Sequence, residues 1–145
     1  MVSTESMREP TDTRTLLFRV GQAVYGCDIA AVREIIPVRA ATRLPGTKPY
    51  VNGLINLRGA ILTVVDLGVR LEGDRTLTQE GSIIIVEVGG RHLGLAVGDV
   101  MDVALLRVER AAGERADEVV RGLGHLGETV VIVLDIPVLV GQVLV

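Results

Sequence analysis

A chain of 145 residues with 48% apolar side chains suffices for one domain that buries roughly 70% of its unfolded surface, which excludes an intrinsically disordered chain. The net charge of −3 shows no polybasic patch and argues against nucleic acid as a partner. A single cysteine, Cys27, cannot form an internal disulfide, and the polar start "MVSTESMREPTDTRT" carries no signal pattern, so a reducing cytoplasm is the expected compartment.

Taken in chain order, residues 1–14 are polar and charged and read as a disordered tail ahead of one domain over 15–145. Strand-like aliphatic runs follow at Leu16–Val20, Ala60–Val65, Ser82–Val88 and Thr129–Leu134. Two short helices are expected between them. One is Asp28–Ile36, with Asp28 as N-cap and Pro37 as stop; the other is Pro49–Leu57, opened by its proline. Aromatic residues make up only 2% of the chain, so Val, Leu, Ile and Ala must fill the core, and 17 glycines point to tight turns. The most apolar segment, "TVVIVLDIPVLVGQVLV", is interrupted by Asp135, Pro137 and Gln142. A membrane span needs about 20 mostly apolar residues, so this segment reads as a buried strand with a short apolar continuation, and no direct membrane insertion is expected. Nothing resembles the long crossover helices of a parallel sheet. The fold class is all-β with short helical turns.

The chain also matches itself. "LLFRVGQAVYGCDIAAVREI" from Leu16 aligns without a gap on "IIVEVGGRHLGLAVGDVMDV" from Ile84, an offset of 84 − 16 = 68. "VNGLINLRGAILTVVDL" from Val51 aligns on "VRGLGHLGETVVIVLDI" from Val120, an offset of 120 − 51 = 69. Valine-rich strands match one another by chance, but here glycines align as well: Gly26 with Gly94 and Gly53 with Gly122. Two pseudo-symmetric halves, about 15–80 and 81–145, follow from this, and each is too small for a secure core of its own. They must pack on one another, with strands open to exchange between them, leaving a groove along the seam.

If duplication built the fold, differences between the halves carry the information. Arg58 stands where the second half has Gly127, so the turn does not require arginine. Glu34 falls opposite Asp102, an acid shared by both halves. Catalytic patterns are otherwise thin. "GLGHLG" matches a dinucleotide fingerprint in letters only, because a charged segment precedes it and a strand-like run follows; its glycines read as turn residues. His92, a strand residue, and His125, a turn residue, lack partners at metal-ligand spacing. Cys27 reads as a small buried hydrophobe, and Asp66 and Asp135, each closing a strand, as turn or cap residues. No metal, cofactor or catalytic centre is implied, and what remains is a binding module.

One sequence signature goes further. A glycine followed by "INLRG" and a strand ending "VVDL" resembles the CheW family of bacterial chemotaxis coupling proteins. "YGCDIAAVREII", "HLGLAVGDVMDV" and "GLGHLGETVVIVLDI" resemble three further segments of that family, so the likeness spans about residues 15–140. The resemblance implies two five-stranded SH3-like β-barrel subdomains. It also implies a non-enzymatic adaptor between the cytoplasmic tip of a methyl-accepting chemoreceptor and the regulatory domain of the histidine kinase CheA. Carried over by motif, the receptor-binding residues are Val32, Glu34, Gly53, Arg58 and Val103, with Asn56 shaping the turn; no kinase-contact residues are assigned. Thr63 stands where the family often has proline, Asp99 follows Gly98 in an altered spacing, and the longer charged C-terminal helix seen in many relatives is not expected here after Val145. "IPVLVGQVLV" is therefore expected to lack cover within the chain and to need a partner or self-association. The family also serves pilus and other outputs. A small β-barrel ligand-binding protein or enzyme, and a structural subunit that oligomerises through its C-terminus, remain open.

Overall fold

Leu16, Phe18 and Val20 point to one side of β1 (Thr11–Val20) and Leu17 to the other, and all four are buried, so this strand lies between two cores. The computed structural model describes residues 11–75, 78–110 and 117–144. Strands β2 (Ala23–Asp28), β3 (Val32–Pro37), β4 (Val51–Leu57), β5 (Ala60–Asp66), β6 (Ser82–Val88) and β7 (Arg91–Val97) follow β1. The last strands are β8 (Val100–Arg110), β9 (Val120–Leu126) and β10 (Thr129–Leu134), and helix α1 (Ile136–Val143) comes after them.

The strands form a closed barrel in the order β1-β2-β10-β9-β8 and a five-stranded sheet in the order β3-β6-β7-β5-β4. Each half of the chain thus gives two strands to one sheet and three to the other. The ladders repeat residue for residue: Gly26 pairs with Leu17 and Val133, and Gly94 pairs with Ile85 and Val64. Even the irregularities recur, with a register shift at Val51/Gly53 in β4 and at Val133/Leu134 beside β9. A core shared by the two sheets fills the seam, including Leu16, Phe18 and Val20 from one and Ile84, Val86, Leu93 and Leu95 from the other. Each such apolar side chain contributes about 1.5–3 kcal/mol on burial, so this core dominates the association of the sheets.

The repeated glycines have a steric cause. A Cβ on Gly53 would lie 2.4 Å from the Thr42 carbonyl oxygen, and one on Gly122 would lie 2.1 Å from that of Glu109. At both places the neighbouring chain crosses too closely for a side chain.

Several expectations need correction. The two expected helices are mainly strands: Asp28 does cap a turn, accepting from the Ala30 N–H at 2.9 Å, but that turn is a 3₁₀ segment of three residues, Ile29–Ala31, before β3. Pro49 precedes strand β4 rather than a helix. Only one of the two sheets closes as a barrel. In the other, β3 stops at Pro37, and a single bridge, Thr42 to Leu54, joins the next segment to β4. Proline lacks an N–H, and Pro45 and Pro49 follow, so no ladder continues there. Thr11 to Arg14 already pair with β8, which shortens the expected tail; its first ten residues lie outside the described ones. The C-terminal apolar run is covered by its own chain. Ile136, Leu139 and Val140 of α1 are buried in the shared core, and α1 packs against β6 and β7. Asp135 caps α1 by accepting from the Val138 N–H at 3.1 Å, and Asp66 accepts from the Val69 N–H at 3.3 Å. "GLGHLG" places Gly122, Gly124 and His125 within β9 and only Gly127 in the turn.

Candidate functional site

Arg58 and Gly59 form the two-residue loop between β4 and β5, with φ of +51° and +90°. Two positive φ values are what a type I′ hairpin needs to match strand twist. Arg58 is the one non-glycine residue with positive φ among those described, and left-handed backbone costs an L-residue about 1–2 kcal/mol. Gly127 occupies the equivalent position with φ of +61°. The loop is held from below: the Gly59 N–H donates to Asn56 Oδ1 at 2.9 Å.

From this turn the Arg58 guanidinium reaches β3 and pairs with the Glu34 carboxylate. The Arg58 side chain is 69% exposed and that of Glu34 35%. Such a surface pair contributes at most about 1 kcal/mol, so it does not offset the strained backbone by a clear margin. A residue kept in a costly conformation with its charge in solvent points to function rather than folding. A second arginine crosses the same edge, Arg39 donating to the Asn56 carbonyl oxygen.

The expected receptor-contact residues are thus only partly gathered. Glu34, Asn56 and Arg58 meet at one end of the open sheet. Val32 lies on β3 beside them, half-buried and packed on the shared core. Val103 stands on β8 of the other sheet, opposite Leu16 and 37% exposed, between exposed Met101 and Leu105. Gly53 is buried under Thr42 and offers a partner no surface; its role runs through the backbone crossing.

Sequence reading passed over a second ion cluster. On β6 the Glu87 carboxylate pairs with the Arg33 guanidinium, whose Nε lies 3.0 Å away, and stands 2.9 Å from His92 Nε2. The one local signal is the adjacent Arg33-Glu34 pair, which sends its two charges to opposite faces of β3 where the register against β6 shifts between Val32 and Glu34. Cys27 is fully buried, and desolvation, with the Asp28 charge beside it, pushes its thiol up to about 12. A thiolate is therefore nearly absent at neutral pH. Among the described residues no three His, Cys, Asp or Glu side chains are grouped to hold a metal, and no helix is long and apolar enough to cross a membrane.

With this geometry in place, a family model described as a CheW-like domain matches residues 14–143. The chain belongs to the CheW family. It is 38% identical over 128 residues to a chemotaxis protein CheW of Klebsiella aerogenes, covering 83% of this chain and 77% of the relative. It is 42% identical over 90 residues to a CheW of Rhizobium meliloti, covering 61% and 57% of the two chains. The fold superposes on the crystal structure of a scaffolding CheW from Thermoanaerobacter tengcongensis with a TM-score of 0.76 at 28% identity, covering 86% of this chain and 90% of that one. The all-β architecture expected from the sequence is that of a CheW protein, with one of its two five-stranded sheets left open.

Proposed function

We propose that this CheW-family protein is a non-enzymatic cytoplasmic adaptor that joins the tip of a chemoreceptor to the regulatory domain of the histidine kinase CheA in chemotaxis. Its relatives carry the names chemotaxis protein and scaffolding protein. The observation that carries the receptor part is Arg58, a strained and exposed arginine at a turn where the other half of the molecule has glycine. Glu34 and Asn56 set its position, Val32 and Val103 offer apolar contact on either sheet, and Gly53 keeps the β4 edge in place. The thiol of Cys27 is too buried and too basic to serve as a nucleophile.

The test is a pull-down of the CheA kinase encoded in the same genome, with and without a receptor-tip fragment. The adaptor reading expects the kinase to be captured by this protein and the receptor fragment to be retained only when this protein is present. Retention of neither partner removes the reading.

A further inference from the structure

All five strands of the open sheet contribute to one depression of about 230 Å³ at its mouth. Its floor is apolar, with Leu62 and Ile85, and its rim is Arg33, Glu34, Arg58 and His92. The charges are layered. The guanidinium-bearing side chains of Arg33 and Arg58 are 62% and 69% exposed, whereas their carboxylate partners Glu87 and Glu34 are 26% and 35% exposed. An approaching molecule therefore meets cations first. Each guanidinium has five N–H donors and retains spare ones after pairing, and exposed pairs of this strength exchange partners readily.

The closed barrel provides a built-in control. Its equivalents of Arg33, Arg58 and His92 are Met101, Gly127 and Val24, so the fold requires none of these three donor side chains. We propose that the mouth of the open sheet is a socket for a partner's carboxylate set beside an apolar side chain, in which Arg33 and His92 join Arg58 in reading the carboxylate. The occupant is the receptor tip, because the socket is continuous with Glu34 and Arg58. The inference rests on the adaptor reading and adds two specificity residues and a ligand chemistry to it.

Titration of a receptor-tip fragment against the full-length protein tests this, with melting midpoint and capture of the kinase regulatory domain as controls. Arg33→Met, which installs the residue type of the closed barrel, should keep both controls and weaken receptor binding about tenfold; Arg33→Glu should weaken it further, and His92→Ala about threefold. A Glu- and Asp-to-Lys scan of the fragment should contain one variant that binds the Arg33→Glu protein better than the unaltered fragment does. Unchanged affinity for Arg33→Met and His92→Ala, with the natural protein binding normally, overturns the socket and leaves the adaptor reading standing. Failure of the natural protein to bind the fragment overturns both.

Discussion

Replacing Arg58 by glycine separates binding from stability. The substitution removes a pair whose members are 69% and 35% exposed, a loss of at most about 1 kcal/mol. It also relieves a left-handed arginine, φ +51°, a gain of about 1–2 kcal/mol, and gives back roughly 0.5–1 kcal/mol through the greater freedom of glycine in the unfolded chain. These contributions nearly cancel, so the melting midpoint of Arg58→Gly should stay within about 3 °C of the natural protein. Arg58→Ala loses the pair and keeps the strain, and should be less stable than the glycine variant by about 1 kcal/mol. Receptor binding should fall in both by about 2 kcal/mol, roughly thirtyfold, as for an arginine at an interface hot spot. Thermal melts read the first quantity and titration with a receptor-tip fragment the second. A glycine variant less stable than the alanine variant refutes the backbone argument; unchanged binding in both shows that the receptor site lies elsewhere.

Gly53→Ala and Gly122→Ala should each cost more than about 2 kcal/mol in urea unfolding, because the new Cβ would meet a carbonyl oxygen at 2.4 or 2.1 Å. Gly59→Ala, with open space around it, should cost only about 1 kcal/mol, and equal costs at all three would contradict the crossing geometry. Cys27 should resist thiol reagents until the protein unfolds, since its thiol is buried and pushed up to about 12; prompt labelling of the native protein would show an opening that the structure lacks. Arg70, 16% exposed, pairs with Asp117 and donates to Gln142 of α1, and its hydrogen bond holds the Asp117 carboxyl below the usual carboxylate range. A depressed carboxylate stabilises the fold above its unfolded pKa, about 3.9, and loses that contribution as pH falls through the folded value. The natural protein should therefore melt above Arg70→Ala at neutral pH, and the gap should narrow below about pH 4; a gap independent of pH assigns the effect to packing alone.

What the sequence made legible depended on range. β6 and β10 run over Ser82–Val88 and Thr129–Leu134 as their aliphatic runs predict, because such runs declare themselves locally. β3 was hidden behind two true signals, the Asp28 cap and the Pro37 stop, which bracket one 3₁₀ turn and a strand rather than a helix. Its burial alternates regularly, but Glu34 stands on the half-buried face and Ile35 on the exposed one, so no apolar alternation shows in the sequence. The cover over the C-terminal helix is not legible locally, because the core that receives it is assembled from both sheets. Arg58 stood out because the internal repeat provided a comparison. The Arg33–Glu87–His92 cluster did not, since it depends on the register of three strands.

The exchange of strands between the halves bears on how the protein is made. β1 and β2 complete their barrel only with β8, β9 and β10, so the first strands leave the ribosome long before their neighbours exist. At about 5–20 residues per second, the interval from Asp28 to Leu134 is roughly 5–20 s. Throughout that time the nascent chain holds unpaired strand edges and an apolar face with nothing to cover it, a condition that invites aggregation. Folding is then dominated by contacts distant in sequence and is correspondingly slow. A truncation before β10 removes more than a terminal piece: it leaves the opening strands of the chain without a barrel, and a stalled ribosome should yield a species that chaperones or proteases must clear.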